Sequence, residues 1–200
     1  VQPVYSLELS CEPTGASAMP GENATFKVNV KNLGNGPDSV NISCTVPEGW
    51  ISELESNRLD IAYQGASSVM LKVSPGPLAI AGRSGNVEIM AVSLGGANFS
   101  ATADVDVEQF FAAAASINVT GVTLRPTEMA EVSVLVCNLG NGADTFTLSA
   151  QKGELVVDVF PSTFQLGAFT NDSGTLQVTV PAGYTGQKED VSIRVDSSKA

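Results

Sequence analysis

One pattern occurs twice in this chain without a gap, and this duplication constrains the fold more than any other feature. The first copy, ATFKVNVKNLGNGPDSVNIS, runs from Ala24 to Ser43, and the second, AEVSVLVCNLGNGADTFTLS, runs from Ala130 to Ser149. Such long-range self-similarity indicates a repeated structural unit. We therefore expect two tandem domains, residues 1–109 and residues 110–200, and we interpret the sequence FFAAAAS, at residues 110–116, as the linker.

Apolar and polar residues alternate on both sides of each NLGNG sequence, which is the pattern of a half-buried β-strand. In the first copy Phe26, Val28 and Val30 precede the turn, and Val40 and Ile42 follow it. Further alternating segments are bounded by Gly, Pro, Asn or Ser, which gives about seven short strands in the first domain. The sequence therefore predicts an all-β chain of two tandem immunoglobulin-like antiparallel β-sandwiches.

The second copy of the domain is shorter than the first. Matching Val87 and Ile89 to Val191 and Ile193 places its sixth strand near residues 189–196, and only SSKA follows. We expect the second sandwich to lack its last strand in this chain. Two explanations stay open: the protein is longer than this sequence, or another chain supplies the strand, with Val1–Ser10 as the candidate donor.

Composition argues against several functional classes. The formal net charge is −11 and the ten Lys and Arg residues do not cluster, so we expect no nucleic acid partner. No run reaches the roughly 18 apolar residues that a membrane helix needs, so we expect no membrane span within these residues. Histidine, the usual general base and a common metal ligand, is absent. The pairs Glu53 with Glu55 and Asp104 with Asp106 are typical of a solvated strand face, so we expect no catalytic residues, no cofactor and no metal.

The sequence resembles extracellular repeats of archaeal and bacterial cell-surface proteins. The residues that carry the resemblance are PGENATFKVNVKNLGNGPDSVNIS, PEGW at Pro47–Trp50 and SSVMLKVSPGPLAIAG in the first domain, with NLGNGAD and TLQVTVPAGYTG in the second. These repeats are the NEW3 or alpha-galactosidase-associated domains, which are similar to the CARDB adhesion-like domains. The second domain departs from the pattern, because it has KGEL at Lys152–Leu155 in place of PEGW. The resemblance implies a spacer, a surface-layer building block or an accessory module of an enzyme.

Sequons of the form Asn-x-Ser/Thr are a second group of candidate sites. They lie at Asn23, Asn41, Asn98, Asn118 and Asn171. We predict that they fall in turns, at a hairpin tip or on the outward phase of strands, where an N-linked sugar fits. The alternative is that they are ordinary surface asparagines.

The three cysteines lead to different expectations. Cys11 and Cys44 both fall on the inward phase of their strands, and we predict a disulfide between them inside the first sandwich, although two buried free thiols are the alternative. Such a bond stabilises a domain by about 3 to 4 kcal/mol and requires an oxidising compartment. Cys137 replaces Lys31 of the first copy, so we expect it to point outward.

Two further motifs have competing interpretations. The side-chain oxygen atoms of the NLGNG-x-D turns could coordinate calcium, but tight-turn geometry explains these residues more simply. They are Asn32, Asn35 and Asp38 in the first copy, and Asn138, Asn141 and Asp144 in the second. Trp50, the single tryptophan, is a possible ligand contact, although such a residue more often caps the core of a sandwich.

These observations favour a non-catalytic structural or spacer module of a glycosylated, surface-layer-like protein of the cell envelope. Its expected partners are other envelope protein domains or copies of itself. The alternative is an adhesion or carbohydrate-binding accessory module that contacts polysaccharide through Trp50, Tyr63 or Tyr184. A third hypothesis is a filament subunit that assembles by strand exchange.

Overall fold

The computed structural model describes residues 1–186 and 188–199, and within them all regular secondary structure is β-strand. The chain divides between Gln109 and Phe110 into two compact units, here called unit 1 and unit 2. Each unit has its own apolar core between two sheets. The chain is therefore all-β and built from two immunoglobulin-like β-sandwiches, as the alternating sequence predicts.

Unit 1 consists of a four-stranded sheet, with the order β1-β3-β7-β5, and a five-stranded sheet, with the order β2-β9-β8-β4-β6. Its strands are β1 (Leu7–Glu12), β2 (Gly15–Ala18), β3 (Ala24–Asn32), β4 (Asp38–Thr45), β5 (Ile51–Leu54), β6 (Arg58–Ile61), β7 (Ala66–Ser74), β8 (Ser84–Val92) and β9 (Asn98–Val107). Alternate side chains of each long strand fill the space between the sheets; Phe26, Val28 and Val30 of β3 are fully buried. The pairing is antiparallel, except that the short strand β2 runs parallel to β9.

Unit 2 consists of a four-stranded sheet, with the order β10-β11-β15-β13, and a three-stranded sheet, with the order β14-β12-β16. Its strands are β10 (Ala113–Ile117), β11 (Met129–Asn138), β12 (Asp144–Gln151), β13 (Val156–Phe160), β14 (Thr163–Leu166), β15 (Asn171–Thr179) and β16 (Ser192–Ser197). Its core includes the buried side chains of Val134, Val136, Phe146 and Leu148.

The interpretation of FFAAAAS as a linker is wrong for most of that segment. Residues from Ala113 onward form strand β10, which pairs antiparallel with β11, so that Ala113 lies opposite Asn138 and Ile117 opposite Val134. An alanine run has no strong alternating pattern, so pairing with the exposed edge of β11, rather than local sequence, makes this segment a strand.

The two units share one strand arrangement, because the sheet orders match when β10 to β16 are placed on β1 and β3 to β8. Strands β2 and β9 have no counterpart in the described part of unit 2. The second sandwich therefore lacks the last strand of the first, as the comparison of sequences predicts.

The segment proposed as a strand donor, Val1–Ser10, is already used within its own unit. From Leu7 onward it belongs to β1, which pairs antiparallel with β3. Leu7 is 5% exposed, and Leu9 packs on the core of unit 1. The donor role assigned to this segment was wrong, because releasing it would uncover the apolar core of unit 1.

Candidate functional sites

The NLGNG sequence of unit 1 forms a loop between β3 and β4 that one buried side chain organises. Asn32 is 1% exposed. Its Nδ2 donates hydrogen bonds to the carbonyl oxygens of Gly36 at 2.8 Å and Ala62 at 3.2 Å, and its Oδ1 accepts one from the Gly34 N–H at 2.9 Å. Because one amide group supplies both donors and acceptor, it satisfies backbone groups that would otherwise be buried without partners. We call residues 32–38 the anchor loop of unit 1.

Unit 2 has the same loop, residues 138–144, which we call the anchor loop of unit 2. Asn138 is 2% exposed, and its Nδ2 donates to the carbonyl oxygens of Gly142 at 2.9 Å and Gly167 at 2.8 Å. Its Oδ1 accepts the N–H of Gly140 at 2.9 Å. The repeated NLGNG sequence thus encodes one hydrogen-bonded structure in both units.

Each anchor loop also holds the chain segment that enters its unit. In unit 1, Asn35 Oδ1 accepts the N–H of Val4 at 2.8 Å, and Asn35 Nδ2 donates to the carbonyl of Gln2 at 2.8 Å. A side chain at Gly34 would collide with the carbonyl oxygen of Val4, so glycine is needed for this close approach. These contacts fix the chain immediately before β1.

In unit 2 the equivalent contact is made by Phe110. Its N–H donates to Asn141 Oδ1 at 2.9 Å, and the N–H of Leu139 donates to the carbonyl of Ala112 at 2.8 Å. The Phe110 ring lies 6.5 Å from the Phe169 ring, centroid to centroid. The asparagine oxygens of these loops are therefore occupied by backbone donors, which supports the tight-turn interpretation over calcium binding.

The aspartates that end the anchor loops differ between the units. Asp38 Oδ1 accepts the N–H of Leu94 at 2.9 Å, whereas Asp144 accepts hydrogen bonds from Ser197, Ser198 and the Thr145 N–H. Burial raises the pKa of Asp144, but these hydrogen bonds and the nearby Lys199 charge outweigh it and hold the pKa below its usual value. The ionised carboxylate is thus part of the closure of unit 2.

Trp50 lies at the edge of the unit 1 core. The side chain is partly buried and packs on the core, and its six-membered ring occupies the space that a Cβ atom at Gly85 would need. This position matches the core-capping interpretation. Of the other aromatic candidates, Tyr63 is 55% exposed, with its hydroxyl accepting a hydrogen bond from Gln64, while Tyr184 is partly buried.

All of the sequon asparagines have exposed side chains: Asn23, Asn41, Asn98, Asn118 and Asn171. Asn41 lies within β4 between the buried residues Val40 and Ile42, so its side chain points away from the core. Asn118 Oδ1 accepts the N–H of Ser133 at 3.0 Å. Exposure makes these positions sterically open to a glycan, which stays a prediction.

The cysteines are free thiols in the structure, so the predicted bond between Cys11 and Cys44 is not formed. Both side chains pack in the unit 1 core from opposite sheets, because β1 and β4 belong to different sheets. Inward phase thus brought the two cysteines into one core, but it does not fix the sulfur geometry that a disulfide needs. Burial, followed by the charges of Cys44 and Glu12, raises the pKa of Cys11 to about 11. Cys137 alternates with buried Val136 and Asn138 and is partly exposed, as predicted.

The carboxylate pairs lie on solvent-facing strand surfaces. Glu53 forms an exposed ion pair with Lys72 at 3.8 Å, and Glu55 accepts the N–H of Met70. Asp104 accepts a hydrogen bond from Asn86 at 3.1 Å. Within residues 1–186 and 188–199, no group of three Cys, Asp or Glu side chains is arranged to hold a metal ion. The same described residues contain no helix long and apolar enough to cross a membrane.

Part of unit 1 is similar to a known family of domains. Residues 18–93 match the NPCBM-associated family, the NEW3 domain of alpha-galactosidase. This family is an immunoglobulin-like extracellular accessory domain and is not itself catalytic. The matched region spans β3 to β8, and each of these strands has a counterpart in unit 2. No curated protein sequence matches the chain significantly.

Several solved structures are similar at low identity. A C. elegans protein of the MSP family, WR4, is 11% identical over 50% of this chain and 96% of its own, with a TM-score of 0.35. The CsuC–CsuE chaperone and tip adhesion subunit complex of Acinetobacter baumannii is 9% identical over 95% and 97%, with a TM-score of 0.36. The D0-D1 domain of intimin is 18% identical over 94% and 90%, with a TM-score of 0.29. These similarities are too distant to transfer a function.

Proposed function

We propose that this chain is an extracellular spacer module, in which non-catalytic β-sandwich units hold other parts of a cell-envelope protein apart. The observation that carries the proposal is the anchor loop, which occurs in both units and in each case fixes the segment that enters the sandwich. A repeated contact that ties the entering segment to its sandwich suits a chain that keeps other domains apart.

The connection between the units supports the same role. Glu108 donates its N–H to the carbonyl of Ala18 in unit 1, and Phe110 donates its N–H to Asn141 in unit 2, so one residue, Gln109, lies between two anchored amides. One residue spans at most about 3.5 Å of extended chain. The anchored segments of the two units therefore follow each other along the chain with a single residue between them.

The resistance of each unit to pulling tests this proposal. Stretching the chain from its two ends should unfold each unit in a separate step that needs force. Asn35→Ala should lower the force for unit 1 and Asn141→Ala the force for unit 2, whereas Asn141→Asp, which keeps an oxygen acceptor for the Phe110 N–H, should preserve more of it. Extension of the unaltered chain without such steps would contradict the spacer role.

A test of the proposed envelope location and glycosylation requires protein purified from its native source. Exposed sequon asparagines predict that peptides containing them, released from this protein, are heavier than their sequences by sugar increments. The free thiols of the structure predict no mass change on reduction, whereas a Cys11–Cys44 disulfide would add the mass of two hydrogens. Unmodified sequon peptides would remove the glycoprotein part of the proposal and leave the spacer role to the pulling measurement.

A carbohydrate-binding accessory module is the second candidate, and the match of residues 18–93 to a domain of alpha-galactosidase favours it. The exposed Tyr63 offers a ring to a sugar, while Trp50 is already packed on Gly85. Retardation of the chain in gels that contain galactan, lost in Tyr63→Ala and kept in Trp50→Phe, would establish this second function. Equal mobility with and without the polysaccharide would exclude it for galactans.

A further inference from the structure

The dipeptide Asn-Gly occurs twice in this chain, at the same place in the two anchor loops. It is Asn35-Gly36 in unit 1 and Asn141-Gly142 in unit 2. The side-chain carbon of an asparagine can be attacked by the backbone nitrogen of the next residue, and glycine hinders this attack least because it has no Cβ. The repeated sequence thus places one reactive dipeptide in each unit.

The two asparagines have different surroundings. The side chain of Asn35 is exposed, whereas Asn141 is 0% exposed. The hydrogen bonds that hold Asn35 are exposed as well, and their partners, Gln2 and Val4, lie outside the strands. The bond from the Phe110 N–H to Asn141 Oδ1 is partly buried. Because exposed hydrogen bonds open more readily than buried ones, the side chain of Asn35 changes its conformation more easily.

The attacking nitrogen in unit 1 is also accessible. A Cβ atom at Gly36 would meet no other atom within 4 Å, so the space beside this residue is open. Within residues 1–186 and 188–199, the N–H of Gly36 donates no hydrogen bond. This nitrogen is therefore neither covered by a neighbour nor held by an acceptor in the described part of the chain.

We propose that Asn35 is a site of spontaneous deamidation, which its counterpart Asn141 escapes because it is buried. In the first step the Gly36 nitrogen forms a bond to Cγ of Asn35, the Cγ–Nδ2 bond breaks, and Nδ2 leaves as ammonia with the proton of the Gly36 N–H. In the second step one water opens the ring. Addition at Cγ gives aspartate, and addition at the main-chain carbonyl carbon gives isoaspartate. The proposal is independent of the spacer role.

Both products disturb the anchor loop of unit 1. A carboxylate cannot donate the hydrogen bond that Asn35 Nδ2 gives to the carbonyl of Gln2. Isoaspartate also routes the main chain through Cβ and Cγ, which lengthens it between the Asn35 N–H and the Gly36 carbonyl. The first of these groups donates to the carbonyl of Val4 at 3.1 Å, and the second accepts from Asn32 Nδ2 at 2.8 Å. Deamidation therefore loosens the segment that enters unit 1 and leaves unit 2 unchanged.

The rates at the two sites test the proposal. The folded chain is incubated in a mildly alkaline buffer, and peptide mapping by mass spectrometry follows the asparagine, aspartate and isoaspartate forms at both positions. Asn35 should be converted at least about tenfold faster than Asn141. Conversion of Asn35 at the rate of Asn141 or more slowly, or no conversion at either position, would overturn the proposal.

Two controls separate the effect of the fold from that of the local sequence. Both dipeptides follow Leu-Gly, so in denaturant the two sites should be converted at similar rates. If Asn35 kept its full lead in the unfolded chain, burial would not be what protects Asn141. The variant Gly36→Ala has room for its methyl group and should slow conversion of Asn35 by about tenfold or more, because the methyl hinders attack by the nitrogen. An unchanged rate in this variant would rule out ring closure through Gly36.

A matched pair of amides tests the structural consequence. The N–H of Leu33 donates to the carbonyl of Ser6, and the N–H of Leu139 donates to the carbonyl of Ala112, each at 2.8 Å. The modified chain carries one additional negative charge, so ion exchange separates it from the unmodified chain. Its Leu33 amide should exchange hydrogen about tenfold faster than before, while the Leu139 amide should not change. An unchanged Leu33 amide would contradict the loosening of the segment that enters unit 1.

Discussion

Units 1 and 2 pair equivalent strands in the same order, but they differ in how far their cores are closed. In unit 1 the inward residues of β8, which pairs with β9, are completely buried, whereas in unit 2 the corresponding residues at β16 remain partly exposed. The anchor loops are nevertheless the same in both. The comparison teaches that local hydrogen bonding encoded by NLGNG is independent of whether the sandwich is complete, while burial of the apolar layer depends on one additional strand.

The largest contrast is expected for a pair of isoleucines in equivalent positions. Ile89→Ala should lower the free energy of unfolding of unit 1 by about 3 to 4 kcal/mol, because it leaves a cavity in a closed core. Ile193→Ala should cost unit 2 only about 1 to 2 kcal/mol, since its side chain is already partly solvated. Denaturant unfolding followed by Trp50 fluorescence reports unit 1, and hydrogen exchange reports unit 2. Equal costs would show that the two cores are closed to the same degree.

The anchor loops should behave alike where the cores differ. Asn32→Ala and Asn138→Ala each leave several buried backbone groups without a partner, so each should destabilise its own unit by about 2 to 3 kcal/mol. The same denaturant and exchange measurements apply. A cost in one unit and none in the other would mean that the shared loop structure does not carry shared stability.

Gly85→Ala tests whether Trp50 caps the core of unit 1 at this position. The new methyl group would collide with the Trp50 ring, and the expected loss is about 2 kcal/mol, together with a change in the fluorescence spectrum of the tryptophan. Gly36→Ala is the control, because a Cβ there meets no other atom within 4 Å. If both variants are equally stable, the tryptophan does not cap the core at Gly85.

The smallest expected effect concerns the stability of unit 2 at low pH. Because the folded-state pKa of Asp144 is lowered, the carboxylate stabilises unit 2 above the unfolded pKa of about 3.9, and this contribution is lost as pH falls from there through the folded pKa. Asp144→Asn should cost about 1 kcal/mol at neutral pH and flatten the dependence of unit 2 stability on pH below about 5. An acid profile identical to that of the unaltered chain would exclude this role.

The sequence predicted much of this architecture, because alternation at Phe26, Val28 and Val30 fits a strand with one face buried in the core. It could not predict β2 or β10. The segment GASA of β2 has no apolar alternation and becomes a strand only through β9, which is distant in sequence. The alanine run of β10 becomes a strand through the edge of β11.

The candidate sites were less predictable, because they depend on which strands face each other. Phase along a strand correctly placed Cys11 and Cys44 on the core side, but it does not determine whether two inward side chains reach the geometry that a disulfide needs. The anchoring role of Asn35 was also missed, since its partner Val4 lies in a segment without strand pattern. The repetition of Asn at the same place in both NLGNG sequences was the available signal.

Hydrogen exchange of β8 and β16 in the free chain tests the central claim most directly. These strands have equivalent neighbours on one edge, β4 and β12, and within residues 1–186 and 188–199 only β8 has a second partner. The amides of β16 should therefore exchange at least about a hundredfold faster than those of β8. Comparable slow exchange in both strands of a monomeric sample would contradict the claim that unit 2 is an open sandwich.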